Sequence, residues 1–401
     1  GQNHKDEDHR YVVKNGARHY FKDVNDFVIH AGMSSYLKQF ISYYLVSEQF
    51  EDKLMLITLL SFFLIFVSCS TPVKENFSEN PKPLEKEATE GQHKKNDLAI
   101  MLSEIEEIVD PNNILWPRVV KINDKEIVFN DKPKRITTFS LGHDEILFGI
   151  SNKDQIVATT SFAQEEGSNI KDKAKGMPTV SNDPESIIVL DPDIVFADPF
   201  ASMDLIDALE DFGIKVIQTK LNNSVEGRKK DILLMSYMTG NLSEAVKLIN
   251  LVDRNVEILK NFAKENKEST KKVMTLSWWD AYWTSGKGST EDSIISLTGA
   301  INLSALYGIE SNATIDKELL IAMNPEIILI TQSIDWGGHD FYNQLFNDDS
   351  LSNIDAIKNN EVYMVNPNWW STLSYWNIKG SEELAKILWD LEEIPYFEDY
   401  K

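Results

Sequence analysis

Large aromatic side chains cluster in the second half of the chain, just after segments that are predicted to be β-strands. Six of the nine tryptophans and one tyrosine occupy such positions. They are Trp278, Trp279, Tyr282, Trp283, Trp336, Trp369 and Trp370. Packing in the core is the alternative for individual members, although core tryptophans are expected within strands or on helix faces. Flat aromatic faces suit a large, partly apolar molecule, so the pattern predicts a ligand-binding cleft.

Residues that follow predicted strands in the first half are interpreted in the same way. His143, Phe162, Asp198 and Phe200 are therefore predicted to contact the ligand. The physical reason is that ligands of open α/β sheets bind beyond the carboxyl ends of the strands.

The two histidines beyond the predicted linker, His143 and His339, follow strands in different halves of the chain. Neutral imidazoles serve as axial ligands of haem iron, so a haem held between them is one hypothesis. The other is that His143 hydrogen-bonds within the first helix and His339 lies in a solvated, glycine-rich loop. Two histidines lack the further fixed ligands that a zinc site needs, so no metal site and no resident cofactor are predicted.

Common catalytic motifs are missing from the sequence. It contains no GxSxG elbow, no GxxxxGK phosphate loop and no HExxH helix, and its one cysteine precedes the predicted fold. We therefore expect a binding protein and not an enzyme. Because two-lobed α/β folds also support hydrolytic and metal-cofactor chemistry, a two-lobed metal-cofactor enzyme is the alternative.

The chain is strongly acidic, with 40 Lys and Arg against 63 Asp and Glu and a formal net charge of -23. Such a surface repels nucleic acid, so nucleic acid is excluded as a partner. Only four arginines follow Cys69, and they are Arg118, Arg135, Arg228 and Arg254. Aromatic side chains must then supply much of the ligand contact, and a strongly anionic tricatecholate is disfavoured.

Cys69 ends the one strong apolar run, Leu56–Ser68, which is 13 residues long. The run is too short for a membrane span of about 20 residues but suits the apolar core of a signal peptide. With Ser68 before the cysteine, it resembles a bacterial lipobox, which implies a signal peptide over residues 55–68 and a lipid on Cys69 as the only membrane attachment. A buried helix with an incidental cysteine is the alternative.

The segments on either side of the apolar run lie outside the predicted lobes. Residues 1–54 begin with Gly and show no clean periodicity, so we interpret them as an upstream extension of unclear status. Residues 69–112 are rich in Pro, Glu and Lys at their start and are predicted to be a lipid-anchored linker with a short helix.

Strands and helices alternate from Arg135 onward, which predicts βαβ units and mostly parallel sheets. Between two such series, Leu242–Glu268 has apolar residues at helical spacing, which predicts a helix of about 40 Å. The predicted fold is α/β, with two Rossmann-like lobes that contain parallel sheets and a ligand cleft between them. The lobes span residues 117–240 and 271–395, and one long rigid helix at residues 241–270 joins them.

Two short segments resemble each other across the halves. Asp183–Pro192 and Asp316–Pro325 each predict a short amphipathic helix and a proline break before a buried strand. Glu185 and Glu318 each precede the proline by seven residues. Chance similarity between two βα units is the alternative, but the matched offset favours a shared role for the two glutamates.

Several short motifs, in this order, resemble the periplasmic binding proteins of ABC importers for ferric siderophores, haem and cobalamin. They are Pro133–Ile136, Glu145–Gly149, Asp154–Val157, Glu185–Val195, Leu209–Val216, Met238–Gly240 and Ile357–Val362. The resemblance extends from about Pro117 to Phe397 and implies two lobes joined by one rigid helix, with modest closure around the ligand.

The resemblance also implies a function. The protein is expected to be a monomeric substrate-binding lipoprotein on the periplasmic or extracellular face of the cell membrane. It would capture a ferric siderophore, cobalamin or haem and deliver this metal chelate to an ABC permease and its ATPase. Glu185 and Glu318 would dock onto permease arginines, unless they are ordinary solvated helix residues. A haem-binding surface protein without a transport role is the remaining alternative.

Overall fold

The computed structural model describes residues 97–266 and 270–400, which belong to one compact unit, Glu85–Lys401. The predictions for the upstream extension, the signal peptide, Cys69 and the first part of the linker lie outside the described residues. Within the described part of the chain, no helix has both the length and the apolarity required to cross a membrane.

The first lobe alternates strands with helices, as predicted. Its strands are β1 (Arg118–Ile122), β2 (Lys125–Phe129), β3 (Ile136–Thr138), β4 (Thr159–Thr160), β5 (Thr179–Val180), β6 (Ile194–Ala197) and β7 (Lys215–Gln218). Its helices are α1 (Leu141–Ile150), α2 (Lys171–Ala174), α3 (Pro184–Ile188), α4 (Met203–Asp211) and α5 (Val225–Thr239). The helix α5 was not predicted from the sequence.

Parallel strands form the centre of the first lobe in the order β3-β6-β7. Ile136 pairs with Ile194, and all residues of β3 and β6 are buried, as expected for a sheet covered by helices on both faces. A second parallel pair, β4 with β5, lies beside β3, where Ile136 bridges Ile156. Ser140 begins α1 because its hydroxyl accepts a hydrogen bond from the His143 backbone N–H.

The helix α6 (Leu242–Glu265) is 24 residues long and packs against helices of both lobes. At about 1.5 Å per residue it is roughly 36 Å long. It follows Gly240, whose φ of 74° ends α5 in the left-handed conformation that glycine adopts without strain. The long connecting helix is therefore confirmed, although it ends at Glu265 and not at Glu268.

The second lobe contains a larger sheet. Its strands are β8 (Lys272–Trp278), β9 (Tyr282–Ser285), β10 (Ile301–Asn302), β11 (Asn312–Ile315), β12 (Ile327–Ile330) and β13 (Val362–Met364). Its helices are α7 (Thr290–Leu297), α8 (Leu303–Leu306), α9 (Lys317–Met323), α10 (Gly338–Asn347), α11 (Asp355–Lys358), α12 (Pro367–Trp370) and α13 (Ile378–Trp389). Short 3-10 turns add Lys153–Gln155, Ser161–Gln164, Ile334–Trp336, Asp349–Leu351 and Tyr375–Asn377 across both lobes.

The sheet of the second lobe is mixed, with the order β11-β9-β8-β12-β13 and with β10 beside β8. β8, β10, β12 and β13 are parallel, whereas β9 runs antiparallel to β8 and β11 runs antiparallel to β9. The chain reverses at Asp280, which has a φ of 61°. Tyr282 and Trp283 therefore lie within a strand and not in the loop where the sequence analysis placed them.

Part of the predicted linker belongs to the folded unit. Residues 97–103 are helical, and Ile108 forms a β-bridge with Val120 of β1. Leu102, Ile105 and Ile108 are buried in the hydrophobic core that also contains the first-lobe strands and α6. Residues 97–112 thus contact the first lobe through apolar side chains and do not extend into solvent.

Candidate functional site

A cavity of about 1180 Å³ lies between the lobes. The first lobe contributes residues 165–167, and the second lobe contributes residues 331–336 and 364–368 together with Trp279. These second-lobe segments follow β12, β13 and β8 directly, so the cavity opens at the carboxyl ends of parallel strands. That is where open α/β sheets bind their ligands. We call this space the central cavity.

Two smaller hollows adjoin the central cavity. The first-lobe hollow, of about 490 Å³, shares Ser371 with it and is lined by His143, Asp198 and Phe200. The second-lobe hollow, of about 210 Å³, shares Trp279 with it and is also lined by Trp283. The three neighbouring spaces share lining residues, and we refer to them together as the cleft.

Trp279, Trp283 and Trp336 present exposed aromatic surface to this cleft. Trp279 is 51% exposed and Trp336 is 69% exposed, and their ring centroids are 6.2 Å apart. Trp283 lines the second-lobe hollow next to Trp279. The structure therefore brings three of the predicted aromatic residues to the same stretch of the cleft wall.

The other predicted aromatic residues of the second lobe pack inward. Tyr282 is buried, and Trp278 lies edge-on to its ring at a centroid distance of 4.9 Å. Trp370 is 0% exposed, and its indole N–H donates a hydrogen bond of 2.8 Å to Glu383. Trp369 is half-buried, with the Lys379 ammonium 5.2 Å from its ring.

Strand register explains this division. Ser277 pairs with Trp283 and Trp278 pairs with Tyr282 across β8 and β9. Successive side chains of a strand point to opposite faces, so Ser277 and Trp283 share the cleft face while Trp278 and Tyr282 share the core face. Tyr282 and Trp370 are buried and Trp278 packs, partly buried, against the core, so these three residues belong to the core side and not to the predicted ligand contacts.

His143 is fully buried at the base of the first-lobe hollow. Its Nδ1 hydrogen-bonds Ser140 Oγ at 2.7 Å and its Nε2 hydrogen-bonds Thr219 Oγ1 at 3.0 Å. Burial lowers the pKa of His143 to about 4, so the ring is neutral at ordinary pH. Because both ring nitrogens have hydroxyl partners, His143 positions the hollow and offers no free atom to a metal.

Phe200 and Asp198 remain at the surface of the first-lobe hollow. Phe200 is 93% exposed, and its backbone N–H donates a hydrogen bond of 2.8 Å to the Asp198 carboxylate. Phe162 is exposed but lines none of the three spaces. The structure thus brings Phe200 and Asp198 to the cleft and leaves Phe162 outside it.

His339 lies exposed in α10, where its Nδ1 is 3.0 Å from Asn343 Nδ2. It belongs to a helix and not to the loop expected for it. Across residues 97–266 and 270–400, no group of three or more His, Cys, Asp or Glu side chains is placed to hold a metal ion.

The cleft is acidic, and most of the carboxylates that line it were not predicted from the sequence. The carboxylates that line it are Glu165, Glu166, Asp198, Glu291, Asp335 and Glu383. Among the described residues that line it, Lys220 in the first-lobe hollow is the one lysine or arginine. No motif indicated Glu291 or Glu383, because both come from helices that reach the cleft only through the tertiary fold.

Burial raises the pKa of Glu383, although hydrogen bonds from the Trp370 indole and the Asn366 backbone N–H lower it. The Asn366 bond is 3.1 Å long. Burial likewise raises the pKa of Glu291, and hydrogen bonds and the charge of Arg228 lower it. Both carboxyl groups are therefore poorly solvated on the wall of the cleft.

Polar contacts across the lobes surround the cleft. Glu145 of α1 accepts hydrogen bonds from the hydroxyl groups of Thr372 and Ser374 in the second lobe. The buried guanidinium of Arg228 donates to the Ser374 carbonyl oxygen at 2.9 Å and to Thr290 Oγ1 at 3.2 Å. These contacts join the lobes beside α6 and limit their independent motion.

Glu185 and Glu318 lie exposed in the first turns of α3 and α9. Asp183 and Asp316 cap the two helices with their side chains, so the half-repeats share their local structure. Each glutamate is free of ion pairs among the residues that the structure describes.

Comparison with known proteins agrees with this architecture. An uncharacterized ABC transporter substrate-binding lipoprotein of Bacillus subtilis is 24% identical over 275 residues, which are 67% of this chain and 83% of that protein. A cobalamin-binding protein of Halobacterium salinarum is 21% identical over 212 residues, 52% of this chain and 57% of that protein.

Solved structures show the same fold. A possible iron-binding (periplasmic solute-binding) protein of Staphylococcus epidermidis superposes with a TM-score of 0.56 at 20% identity, covering 65% of this chain and 100% of that one. The model of the family described as periplasmic binding protein matches residues 136–368. The resemblance inferred from the sequence motifs is thereby confirmed, and the chain belongs to the periplasmic binding protein family.

Proposed function

We propose that this protein captures a ferric siderophore or a cobalamin between its lobes and delivers it to an ABC permease and its ATPase. The observation that carries this proposal is the central cavity of about 1180 Å³ with exposed Trp279 and Trp336 on its wall. Pockets for drug-sized ligands measure about 300–1,000 Å³, so this one suits a large chelate better than a small ion. Similar proteins include a possible iron-binding protein and a cobalamin-binding protein, which is consistent with this ligand class.

Delivery to a permease is supported by the matched positions of Glu185 and Glu318. Two exposed carboxylates on equivalent helices offer two anchoring points to arginines of a membrane partner. Exposed ion pairs contribute little affinity singly, but complementary charge sets orientation and association rate. The protein acts as a monomer in this proposal, with one ligand and one permease.

Haem is a weaker candidate for the ligand. Both ring nitrogens of His143 have hydroxyl partners, so this histidine does not offer an axial nitrogen to haem iron. Haem also carries two propionates, which suit an acidic cleft poorly. For these reasons we favour the importer over the haem-binding surface protein, and we favour either function over an enzyme.

The proposed location is the outer face of the cell membrane, with a lipid on Cys69 as the attachment. Replacing Cys69 with Ala should release the protein from membranes into the soluble fraction, because the cysteine sulfur is the atom that accepts the lipid. A Cys69→Ala variant that still sediments with membranes would remove the lipid anchor from the proposal.

Ligand identity is tested by mass spectrometry of the molecule that copurifies with the protein from native membranes. A ferric siderophore or a corrinoid is expected, and calorimetric titration with the recovered compound should show one site per chain. Recovery of haem would overturn the siderophore or cobalamin as the proposed ligand. A chemically altered product, appearing only with the protein, would favour an enzyme.

A further inference from the structure

The second-lobe hollow is lined by one face of the mixed sheet. Across β8 and β9, Ser277 lies opposite Trp283, and the Ser285 backbone N–H donates to Thr275 Oγ1 at 3.3 Å. Trp279 follows Ser277 by two residues. Hydroxyl-bearing side chains and the two tryptophans therefore line the hollow together.

One carboxylate faces this hollow. Glu291 lies in the first turn of α7, and the polar side chains of Ser285 and Ser289 beside it lower its pKa, although burial raises it more. Within the part of the chain that the structure describes, no lysine or arginine lies within ion-pair distance of Glu291. The charge of Arg228 lowers the pKa of Glu291, but the Arg228 guanidinium donates its hydrogen bonds to Thr290 Oγ1 and to backbone carbonyl oxygens that include that of Ser374.

A partly buried carboxylate with no lysine or arginine at ion-pair distance gains from a cationic partner, because neutral donors offset only part of its desolvation. Burial raises the pKa of Glu291, and a positive charge placed beside it would lower that pKa and stabilise the carboxylate. Tryptophan rings attract organic cations through their negative faces. A hollow of about 210 Å³ is too small for a whole metal chelate and large enough for one protruding group.

We propose that the second-lobe hollow is a subsite for an organic ammonium group of the ligand, with Trp279 and Trp283 as its aromatic walls and Glu291 as its counter-charge. This inference rests on the proposed chelate-binding function and adds that the preferred ligand is cationic at one end. The lining of the central cavity supports this inference, because all the charged residues in it, among those that the structure describes, are acidic.

The experiment compares two ferric trihydroxamates that differ in one group. One carries a terminal primary ammonium, and the other is the same chelate with that amine acetylated and therefore neutral. Calorimetric titration of the full chain should give about tenfold tighter binding of the ammonium form, the size expected for one partly desolvated charge pair. Glu291→Gln should weaken the ammonium form to the level of the acetylated form and leave the acetylated form unchanged.

Two further variants separate a local effect from a general one. Trp283→Leu should also reduce the preference for the ammonium form, because it removes an aromatic wall but no charge. Glu257→Gln, which removes one carboxylate from the exposed surface of α6, should retain the full preference. Melting temperatures of all variants show whether each is folded.

Equal affinity for both chelates in the unmodified protein, unchanged in Glu291→Gln, would overturn the subsite while leaving chelate binding intact. Failure of both trihydroxamates to bind would also overturn it, since the subsite presumes a ligand of this kind. In that case binding of a neutral corrinoid would preserve the transport proposal, so the two failures are distinguished.

Discussion

The side-chain amide of Asn169 in the first lobe donates a hydrogen bond of 2.8 Å to the backbone carbonyl oxygen of Asn368 in the second. Asn368 in turn donates from its side chain to the Glu166 carbonyl oxygen, also at 2.8 Å. We call this reciprocal pair the asparagine clasp. Glu166 and Asn368 both line the central cavity, so the clasp joins the lobes at the edge of the ligand site.

Opening the clasp should speed ligand release. Asn368→Ala removes the bond to Glu166, and a hydrogen bond contributes about 1 kcal/mol net, so we expect dissociation about fivefold faster. Stopped-flow tryptophan fluorescence with the copurified ligand measures this rate. Asn359→Ala, at an exposed position of the second lobe, is the matched control. An unchanged dissociation rate in Asn368→Ala would show that the clasp does not retain the ligand.

Trp279 and Trp370 should respond oppositely to substitution. Trp279→Ala removes an exposed cleft face and should weaken ligand binding by about 1 to 3 kcal/mol with little change in melting temperature. Trp370→Phe leaves Glu383 without its indole donor and should lower the melting temperature while preserving affinity. Calorimetric titration and thermal melting of both variants test the pair. A Trp279→Ala protein that binds normally would exclude it from the site.

His143 should make stability depend on pH. Its pKa is about 4 in the native protein and about 6.5 unfolded, so the unfolded chain takes up its proton first as pH falls. Its contribution is complete above about pH 6.5 and is lost towards pH 4, by about 3 kcal/mol in total. Urea unfolding of the unmodified protein and of His143→Gln across this range isolates it.

Asp144 has the opposite effect on how stability changes with pH. The contribution of His143 is therefore isolated by comparing the unmodified protein with His143→Gln. Burial raises the pKa of Asp144 to about 7, so the native state holds its proton more tightly and stability falls as pH rises from about 4 to 7. If the two proteins change in parallel over the acid range, His143 is not a buried neutral ring.

Permease docking should depend on Glu185 and Glu318 together. Reversing both to Lys is expected to abolish uptake of labelled ligand into cells, because like charges would face the arginines of the permease. Ligand affinity should stay unchanged, since both residues lie outside the cleft linings. Lysine at the exposed positions Glu126 and Glu257 gives a control of equal charge. Normal uptake by the Glu185/Glu318 double variant would refute the docking role.

The periodicity of the chain was sufficient to predict both lobes and the helix between them. Repeated βα order favours parallel sheets, and the apolar spacing from Leu242 onward produces one buried face along α6. Local signals of this kind act over a few residues, so they are readable in sequence. The same local signals predicted the matching helices that carry Glu185 and Glu318.

Tertiary structure decided which predicted residues reach the ligand. The face to which a side chain points depends on where its strand begins and ends and on how that strand pairs with its neighbour. The pairing of Trp278 with Tyr282 was not predicted, and it directs these two side chains to the core. Trp279 and Trp283 face the cleft. The asparagine clasp joins residues 199 positions apart. Glu291 reaches the second-lobe hollow only because α7 begins beside β9. Such contacts arise from packing between distant segments, and no local pattern records them.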